Sequence, residues 1–460
     1  MIKLSSSKNE KEYIHKLIKK AIGNKNCELE CILMDDMSKN QNINYQQFVN
    51  IIKRVKNKIK YSSQKEKISL DIYFPIDSKY HNIRCVVKGY GAISNYCNHE
   101  NISNILNNVM FQRKKIDTMD DKVNIPNYNI KFNLKKENKL DKDDAIIRDL
   151  IRDWKKELKT YRYKKRYSFH SIDDEFKVDL SIIKSSAKSQ QYLTIDEIYQ
   201  RNLFNKVTKP DDVKNSFSSW WNSISKNKNE KVLVKDVPTF FKNINESYVF
   251  NNQSEYEAEV EYTGNQKEYK LTDTKSTNEK VEKTFNNFFS HIGTVIQAIQ
   301  DSFFIISNQE KIQLEKNLQN LIDKAIRQNN NDYKRSSKNN NNNNESKSQE
   351  DEDNEPSKSK SNVFIKNNLK FNKHRLFFGP LAVDLSYENI APIYDSKLTN
   401  NVINTNNNIR LNYLVTDKAD GERNLLVIND RGQCYGINRA NRIKSFGVTL
   451  PKFANSIFDI

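Results

Sequence analysis

Glutamates recur at every second position in two distant segments of the chain. Glu28 and Glu30 lie in 27–31, CELEC, and four more alternate through 255–262, EYEAEVEY. Successive side chains of a β-strand point to opposite faces, so the glutamates would share one face and the apolar residues and cysteines the other. Like charges in a row repel one another unless a cation lies among them. Because carboxylates suit hard divalent cations, the pattern predicts a Mg²⁺ or Mn²⁺ site, although an exposed edge strand is an open alternative.

Basic residues alternate in three further segments. The members of each face are Arg162, Lys164, Arg166 and Ser168; Lys177, Asp179 and Ser181; and Arg84, Val86 and Lys88. Each face taken alone is also typical of a solvated strand. Together with the glutamate faces, they predict a charged interior in which Lys and Arg bind phosphate oxygens. Such an interior would suit metal-assisted hydrolysis of a phosphoanhydride.

A separate candidate nucleophile lies near the C-terminus, in the run Lys418-Ala-Asp-Gly-Glu-Arg423. Two β-prone stretches flank it, LNYLVTD and NLLVIND, so a simple Asp-Gly turn between strands is an open alternative. A lysine amine attacks an α-phosphate only when it is deprotonated, and burial or neighbouring cations can lower its pKa enough. Lys418 is therefore a candidate nucleophile.

The elements that must position these residues are helices mixed with many strands. Apolar stripes predict helices over 13–22, 48–59 and 145–158. Seven alternating segments predict strands: CELECILM, KISLDIYF, NIRCVVKG, YNIKFNLKKE, TYRYKKRYSFH, FKVDLSII and EYEAEVEY. This pattern suggests an antiparallel barrel or sandwich in an α+β domain. Residues 185–248 are predicted to form a helical insertion, and 275–327 a helical tail.

Composition limits the partners of the chain. Its 460 residues include 76 Lys plus Arg and 58 Asp plus Glu, for a net charge of +18. That excess favours a polyanionic partner, either nucleic acid or a phosphate chain, although charge kept for solubility is an alternative. No apolar run is long enough to span a membrane and no secretory signal is present. Five cysteines without a Cys-x-x-Cys pair argue against a disulfide scaffold or structural zinc, as expected of a reduced intracellular protein.

The domain organisation follows from one shift in composition. Residues 328–362 are rich in Asn, Ser, Lys and Glu and lack apolar periodicity, which predicts a disordered linker. The linker separates an N-terminal domain, 1–327, from a C-terminal segment, 363–460.

The N-terminal motifs resemble the triphosphate tunnel metalloenzymes, most closely the RNA 5′-triphosphatases of fungi and large DNA viruses. The resemblance covers about Glu10 to Gly264 and implies an eight-stranded antiparallel tunnel lined by Glu, Lys and Arg. It implies metal ligation by Glu28, Glu30, Glu259 and Glu261, directly or through water. It implies substrate and catalytic roles for Arg84, Lys164, Arg166, Lys177, Asp179 and Glu257, and a role for Glu137 in orienting the attacking water. The second glutamate strand can also be read one pair earlier, from Glu255.

The C-terminal motif is similar to the nucleotidyl-acceptor motif of covalent nucleotidyltransferases, the mRNA guanylyltransferases and the DNA and RNA ligases. The similarity implies a lysyl-nucleotide on Lys418, nucleotide contact by Arg423, and nucleotide or RNA phosphate contact by Arg439. GTP would be the co-substrate. The order of the two parts resembles the large mRNA-capping enzymes of nucleocytoplasmic large DNA viruses, which act in the host cytoplasm, in viral factories or in the virion.

The resemblance implies that the chain removes the γ-phosphate of triphosphate-ended RNA, while Lys418 serves GMP transfer in the full-length enzyme. Because later motifs of that family are missing, we expect a truncated guanylyltransferase domain here, with a methyltransferase domain or subunit beyond it. Two alternatives stay open. One is a tunnel enzyme acting on polyphosphate or nucleoside triphosphates, and the other is a non-catalytic RNA-binding module.

Overall fold

The structure, a computed structural model, describes residues 8–22, 27–57, 61–114, 121–201, 203–210, 216–264, 274–321, 323–324, 424–438 and 442–459. The chain divides into two compact units, Met1–Asn308 and Gln309–Ile460, so the division falls earlier than the predicted boundary at 327. The predicted linker and the candidate residues Lys418, Arg423 and Arg439 lie outside the described residues.

The first unit is an α+β structure built on one large antiparallel sheet, as predicted. Its helices are α1 (Lys8–Ile22), α2 (Tyr45–Lys56), α3 (Tyr90–His99), α4 (Ala145–Asp153), α5 (Ile195–Gln200), α6 (Phe217–Ile224) and α7 (Thr274–Ile299). Its first seven strands are β1 (Cys27–Asp36), β2 (Gln41–Asn42), β3 (Tyr61–Tyr73), β4 (Ile83–Lys88), β5 (Val109–Lys114), β6 (Lys122–Ile125) and β7 (Ile130–Leu140). They are followed by β8 (Thr160–Ser171), β9 (Phe176–Ser185), β10 (Lys188–Thr194), β11 (Lys231–Pro238) and β12 (Glu255–Tyr262).

The large sheet contains ten strands, and eight of them each pair antiparallel with two others of the eight; β1 also pairs with β2, and β7 with β6. The order of the eight is β1-β12-β9-β8-β3-β4-β5-β7, and β7 pairs in turn with β1 over seven residue pairs, from Cys27–Lys136 to Leu33–Ile130. Following the pairings therefore leads back to the first strand. The seven segments predicted as strands are confirmed. The prediction missed β5, VMFQRK, because six residues with mixed polarity give a weak alternating signal.

One face of this sheet is apolar and is covered by helices. Helices α1, α2 and α7 contribute to one cluster with residues of β1, β7, β9 and β12, including Leu29, Leu180 and Val260, all completely buried. Helices α3 and α4 contribute to a second cluster with β3, β4 and β8, around Leu70 and Cys85. Burial of such side chains stabilises the fold by roughly 25 cal/mol per Å² of apolar area. The opposite face is therefore left to the charged residues.

The segment predicted as a helical insertion also contains strands, which corrects that prediction. Strands β10 and β11 pair antiparallel, and with α5 and α6 they enclose a separate cluster that includes Trp220 and Trp221. The overlooked signal was the alternation of Val232 and Val234 in KVLVKDVP. The predicted helical tail comprises α7 and the helical residues 308–321. The helix predicted over 145–158 ends at Asp153.

The described part of the second unit contains an antiparallel four-stranded sheet. Its strands are β13 (Asn424–Ile428), β14 (Gln433–Asn438), β15 (Ile443–Thr449) and β16 (Ser456–Asp459), in the order β15-β14-β13-β16. The strand predicted after the Lys418 motif is thus confirmed as β13. Within this unit the Tyr435 hydroxyl donates a 2.6 Å hydrogen bond to Glu310. Among all described helices, none is long and apolar enough to cross a membrane.

Candidate functional site

The charged residues of the eight strands lie on the sheet face opposite the two apolar clusters. In β1 and β12, Leu29, Cys31, Ala258 and Val260 belong to a cluster, so the glutamates between them face the other way. The register places Glu30 directly opposite Glu261. Both predicted glutamate faces are therefore neighbours on one surface, which we call the charged face.

Glu30 is buried on the charged face and is held by two residues of β7. The Lys135 Nζ lies 2.5 Å from Glu30 Oε1, and the Asn133 side-chain amide donates to the same oxygen at 3.1 Å. Burial raises the pKa of Glu30, with the nearby Glu259 adding to the rise and Lys135 opposing it. Burial alone would lower the pKa of Lys135, but Glu30 and Glu259 outweigh it and raise that pKa. The charge of this glutamate is thus balanced locally.

Glu261 forms a second cluster of charged side chains with Lys177 and Asp179 of β9. Lys177 lies between Glu261, at 2.8 Å, and Asp179, at 3.4 Å. Burial raises the pKa of Glu261 to about 7, against the opposing effect of Lys177 and with a contribution from Glu28. Glu28 therefore lies close enough to interact with Glu261. Two pairs of carboxylates thus repel each other across β1 and β12, namely Glu30 with Glu259 and Glu28 with Glu261.

Arg166 links three strands of the charged face. Its Nη1 donates to Asp179 and its Nη2 to Glu259, each at 2.9 Å, and its Nε donates to Ser181 at 3.1 Å. Burial would raise the pKa of Asp179, but Arg166 and Lys177 outweigh that effect and lower it. The planar guanidinium thereby fixes the orientation of both carboxylates. The resemblance implies that Arg166 binds phosphate; the structure adds this positioning role.

Two further cations of β8, Arg162 and Lys164, precede Arg166 on the same face. Arg162 Nη2 lies 2.6 Å from Glu257 Oε1, and Lys164 Nζ lies 3.5 Å from Asp71 Oδ2. Burial lowers the pKa of Lys164, with Asp71 opposing the fall. The longer ion pair leaves the Lys164 amine less tightly engaged than the guanidinium of Arg162. Lys164 is therefore the cation of this strand best placed to exchange its partner for a phosphate oxygen.

The other predicted residues lie on the same set of eight paired strands. Arg84 on β4 donates to the Gln112 side chain on β5 through both Nε and Nη2. Glu137 lies in β7, where its backbone pairs with Lys114, but its side chain is not described. The structure therefore brings the predicted N-terminal residues to one sheet, apart from this unplaced side chain.

Sequence reasoning missed several members of the charged face. They are Asp71, Gln112, Asn133 and Lys135, and Arg162 had been placed on the face but given no role. The alternation in NLKK and SLDIY could have shown that Lys135 and Asp71 lie on the polar faces of their strands. It could not have shown that Lys135 faces Glu30, because that contact depends on the pairing of β1 with β7.

The chemistry of the donors fits a hard divalent cation. The candidate ligands are carboxylates of β1 and β12, and the buried Asn133 Oδ1 beside Glu30 has no hydrogen-bond donor among the described residues. Oxygen ligands of this kind suit Mg²⁺ or Mn²⁺. In the conformation described, however, no three Asp, Glu, His or Cys side chains of the described residues converge on one point. Lys135, Arg166 and Lys177 instead balance the carboxylates.

Comparison with protein-family models and with curated proteins identifies no relative of this chain. No family model matches the sequence, and no curated protein matches it significantly.

Proposed function

We propose that the first unit is a metal-dependent phosphohydrolase that removes the γ-phosphate from triphosphate-ended RNA. The circuit of eight paired strands supports this proposal, because it would make the charged face the lining of a tunnel. The observation that carries it is that one face holds the carboxylates of Glu28, Glu30, Glu259 and Glu261 together with the cations Arg84, Arg162 and Lys164. Carboxylates for a metal and cations for phosphate oxygens are what phosphoanhydride hydrolysis requires.

In this proposal the cations of the chain bind the triphosphate. Lys164 exchanges its long contact with Asp71 for a phosphate oxygen, and Arg84 and Arg162 stabilise charge on the other phosphates. Arg166 keeps Glu259 and Asp179 in place throughout.

Glu28, Glu30, Glu259 and Glu261 would hold a divalent cation. When bound, the cation would polarise a phosphoryl oxygen and help to neutralise its charge. Its arrival would also relieve the repulsion between Glu30 and Glu259 and between Glu28 and Glu261.

The direct test is release of labelled γ-phosphate from triphosphate-ended RNA by the full chain, with and without Mg²⁺ or Mn²⁺. We expect release that depends on the metal and falls by about 10²-fold in Glu30→Gln, since a ligand and an ion pair are lost. Glu66→Gln is the matched control, because Glu66 pairs with Lys165 on the other face of the sheet. Preference for inorganic polyphosphate would identify a polyphosphatase instead. RNA binding without any hydrolysis would leave only a binding module.

For the second unit we propose GMP transfer through Lys418, on the strength of the Lys-x-Asp-Gly-x-Arg motif and its position before β13. The test is incubation with labelled GTP and Mg²⁺ or Mn²⁺, followed by denaturation. Acid-labile label that is lost in Lys418→Ala would support the proposal. Label that persists in that variant would contradict it.

A further inference from the structure

The hairpin of β10 and β11 presents a face that the proposed hydrolysis does not use. Leu193, Val232, Val234 and Val237 are buried on its inner side. The alternating positions therefore point outward. These outward positions, which we call the hairpin face, are Lys188, Gln190, Tyr192, Thr194, Lys231, Leu233 and Lys235.

The hairpin face combines one exposed aromatic ring with positive charge. Tyr192 is 69% exposed although it lies within a strand, and Leu233 is its cross-strand neighbour. Lys231 and Lys235 lie two residues to either side of Leu233 and are both exposed. None of the seven positions is acidic, and Asp236, at a bulge with a φ of +54°, is the one carboxylate in either strand.

The face has a firm support. Trp220, Trp221, Phe204 and Phe217 pack beneath the hairpin in a cluster of ring contacts, with Phe217 stacked on Trp221 at 6.2 Å between centroids. The backbone N–H of Thr208 donates to the Leu233 carbonyl at 2.9 Å, on the edge away from β10. An aromatic ring on such a rigid support can accept a stacked base with little loss of conformational freedom.

The hairpin contacts the beginning of β12, one of the two strands that carry the glutamates. Lys188 Nζ lies 2.6 Å from the carboxylate of Glu255, the first residue of β12, two residues before Glu257 on the charged face. The Ala187 N–H donates to Ser247 O, and the Ser186 N–H to Tyr161 O at the start of β8. The hairpin face therefore adjoins one end of the strands that carry the charged face.

We propose that the hairpin face binds the single-stranded RNA chain behind its 5′ end, with a base stacked on Tyr192 and phosphates at Lys231 and Lys235. Stacking on aromatic rings combined with lysine contacts to phosphates is the usual means of binding single strands without sequence preference. An acidic polypeptide would satisfy the lysines but would leave the exposed ring without a flat partner. The inference rests on the proposed function for the orientation of the RNA, but not for its binding.

The test is equilibrium binding of a labelled single-stranded RNA with a 5′-hydroxyl to the full chain. We expect Tyr192→Ala to weaken binding roughly tenfold, as loss of one stacked base does, and Tyr192→Phe to retain it. Tyr90→Ala is the matched control, because Tyr90 is 73% exposed at the start of α3 and lies outside the hairpin. Lys231→Gln with Lys235→Gln should lower the slope of log affinity against log salt by about one unit or more.

Wild-type RNA affinity in Tyr192→Ala would overturn the inference. So would a competition experiment in which polyglutamate displaces the RNA equally well from the wild type and from every variant, because the site would then recognise charge alone. A 5′-hydroxyl RNA cannot be hydrolysed at a triphosphate, so the two proposals fail separately. Binding that depends on Tyr192 without any phosphate release would overturn the proposed function alone. Where release occurs, Tyr192→Ala should raise KM for triphosphate-ended RNA and leave KM for a nucleoside triphosphate unchanged.

Discussion

At the scale of single residues, neighbours in β8 serve opposite faces of the sheet. Lys164 lies on the charged face near Asp71, whereas Lys165 forms an ion pair with Glu66 on the other face. We predict that Lys164→Ala slows γ-phosphate release by about 10²-fold, because a phosphate-binding cation is lost. Lys165→Ala should have wild-type activity, because an exposed ion pair contributes little. Equal rates in the two variants would remove Lys164 from the site.

Arg166 is expected to affect stability as well as activity. Arg166→Ala leaves Asp179 and Glu259 without their shared guanidinium, so we expect a loss of about 1–3 kcal/mol in the free energy of unfolding and slower hydrolysis. Arg166→Lys should recover only part of either property, because an ammonium cannot bridge both carboxylates in one plane. Denaturant titration and initial rates measure the two effects. Full recovery by lysine would show that charge alone matters.

Lys159 offers a test by pH away from the charged face. Its side chain is almost completely buried, its Nζ donates to the Glu157 carbonyl at 2.6 Å, and it lies 5.3 Å from the Trp154 ring centroid. Burial lowers its pKa to about 8, against the opposing charges of Glu100 and Glu157.

The folded state holds this proton less tightly than the unfolded state. The free energy of unfolding should therefore rise with pH between the folded pKa of about 8 and the ordinary pKa of 10.5. This gain in stability is lost as the pH falls back through 8. We predict that Lys159→Met removes this rise. The measurement is the difference in Tm between variant and wild type from pH 7 to 10. A constant difference would contradict the lowered pKa.

At the scale of elements, the large sheet has one face that packs in the core and one face that carries charged residues. Leu180 in β9 is completely buried among apolar neighbours, between Asp179 and Ser181 on the charged face. Leu180→Ala should lower the free energy of unfolding by about 2–5 kcal/mol, because it leaves a cavity. At temperatures where the variant is folded, its KM for RNA should be unchanged. A changed KM in the folded variant would mean that the two faces are not independent.

At the scale of the whole molecule, the residues proposed for phosphate release and for nucleotide transfer belong to different units. The described candidates for hydrolysis lie in Met1–Asn308 and Lys418 in Gln309–Ile460. We therefore predict that Lys418→Ala releases γ-phosphate at the wild-type rate, in the same assay that detects the loss in Lys164→Ala. Any substantial loss in Lys418→Ala would show that the two reactions share a residue.

The local pattern of the sequence determined a large part of the fold and of the candidate site. Alternation alone indicated seven of the strands and placed Glu30, Glu261 and Arg166 on polar faces, because the period of a strand depends only on its own backbone. The same local reasoning missed β2, β5, β6 and the two strands within the insertion. In those segments, short or mixed patterns give little signal without their partners.

Only the tertiary structure decided which faces meet. The pairing of β1 with β12 joins residues more than 200 positions apart and sets Glu30 opposite Glu261, and the pairing with β7 brings Lys135 to the same carboxylate. A shift of one residue in either register would turn those side chains to the apolar face. Register depends on packing summed over the whole sheet and its helices, and no local segment of the chain carries that information.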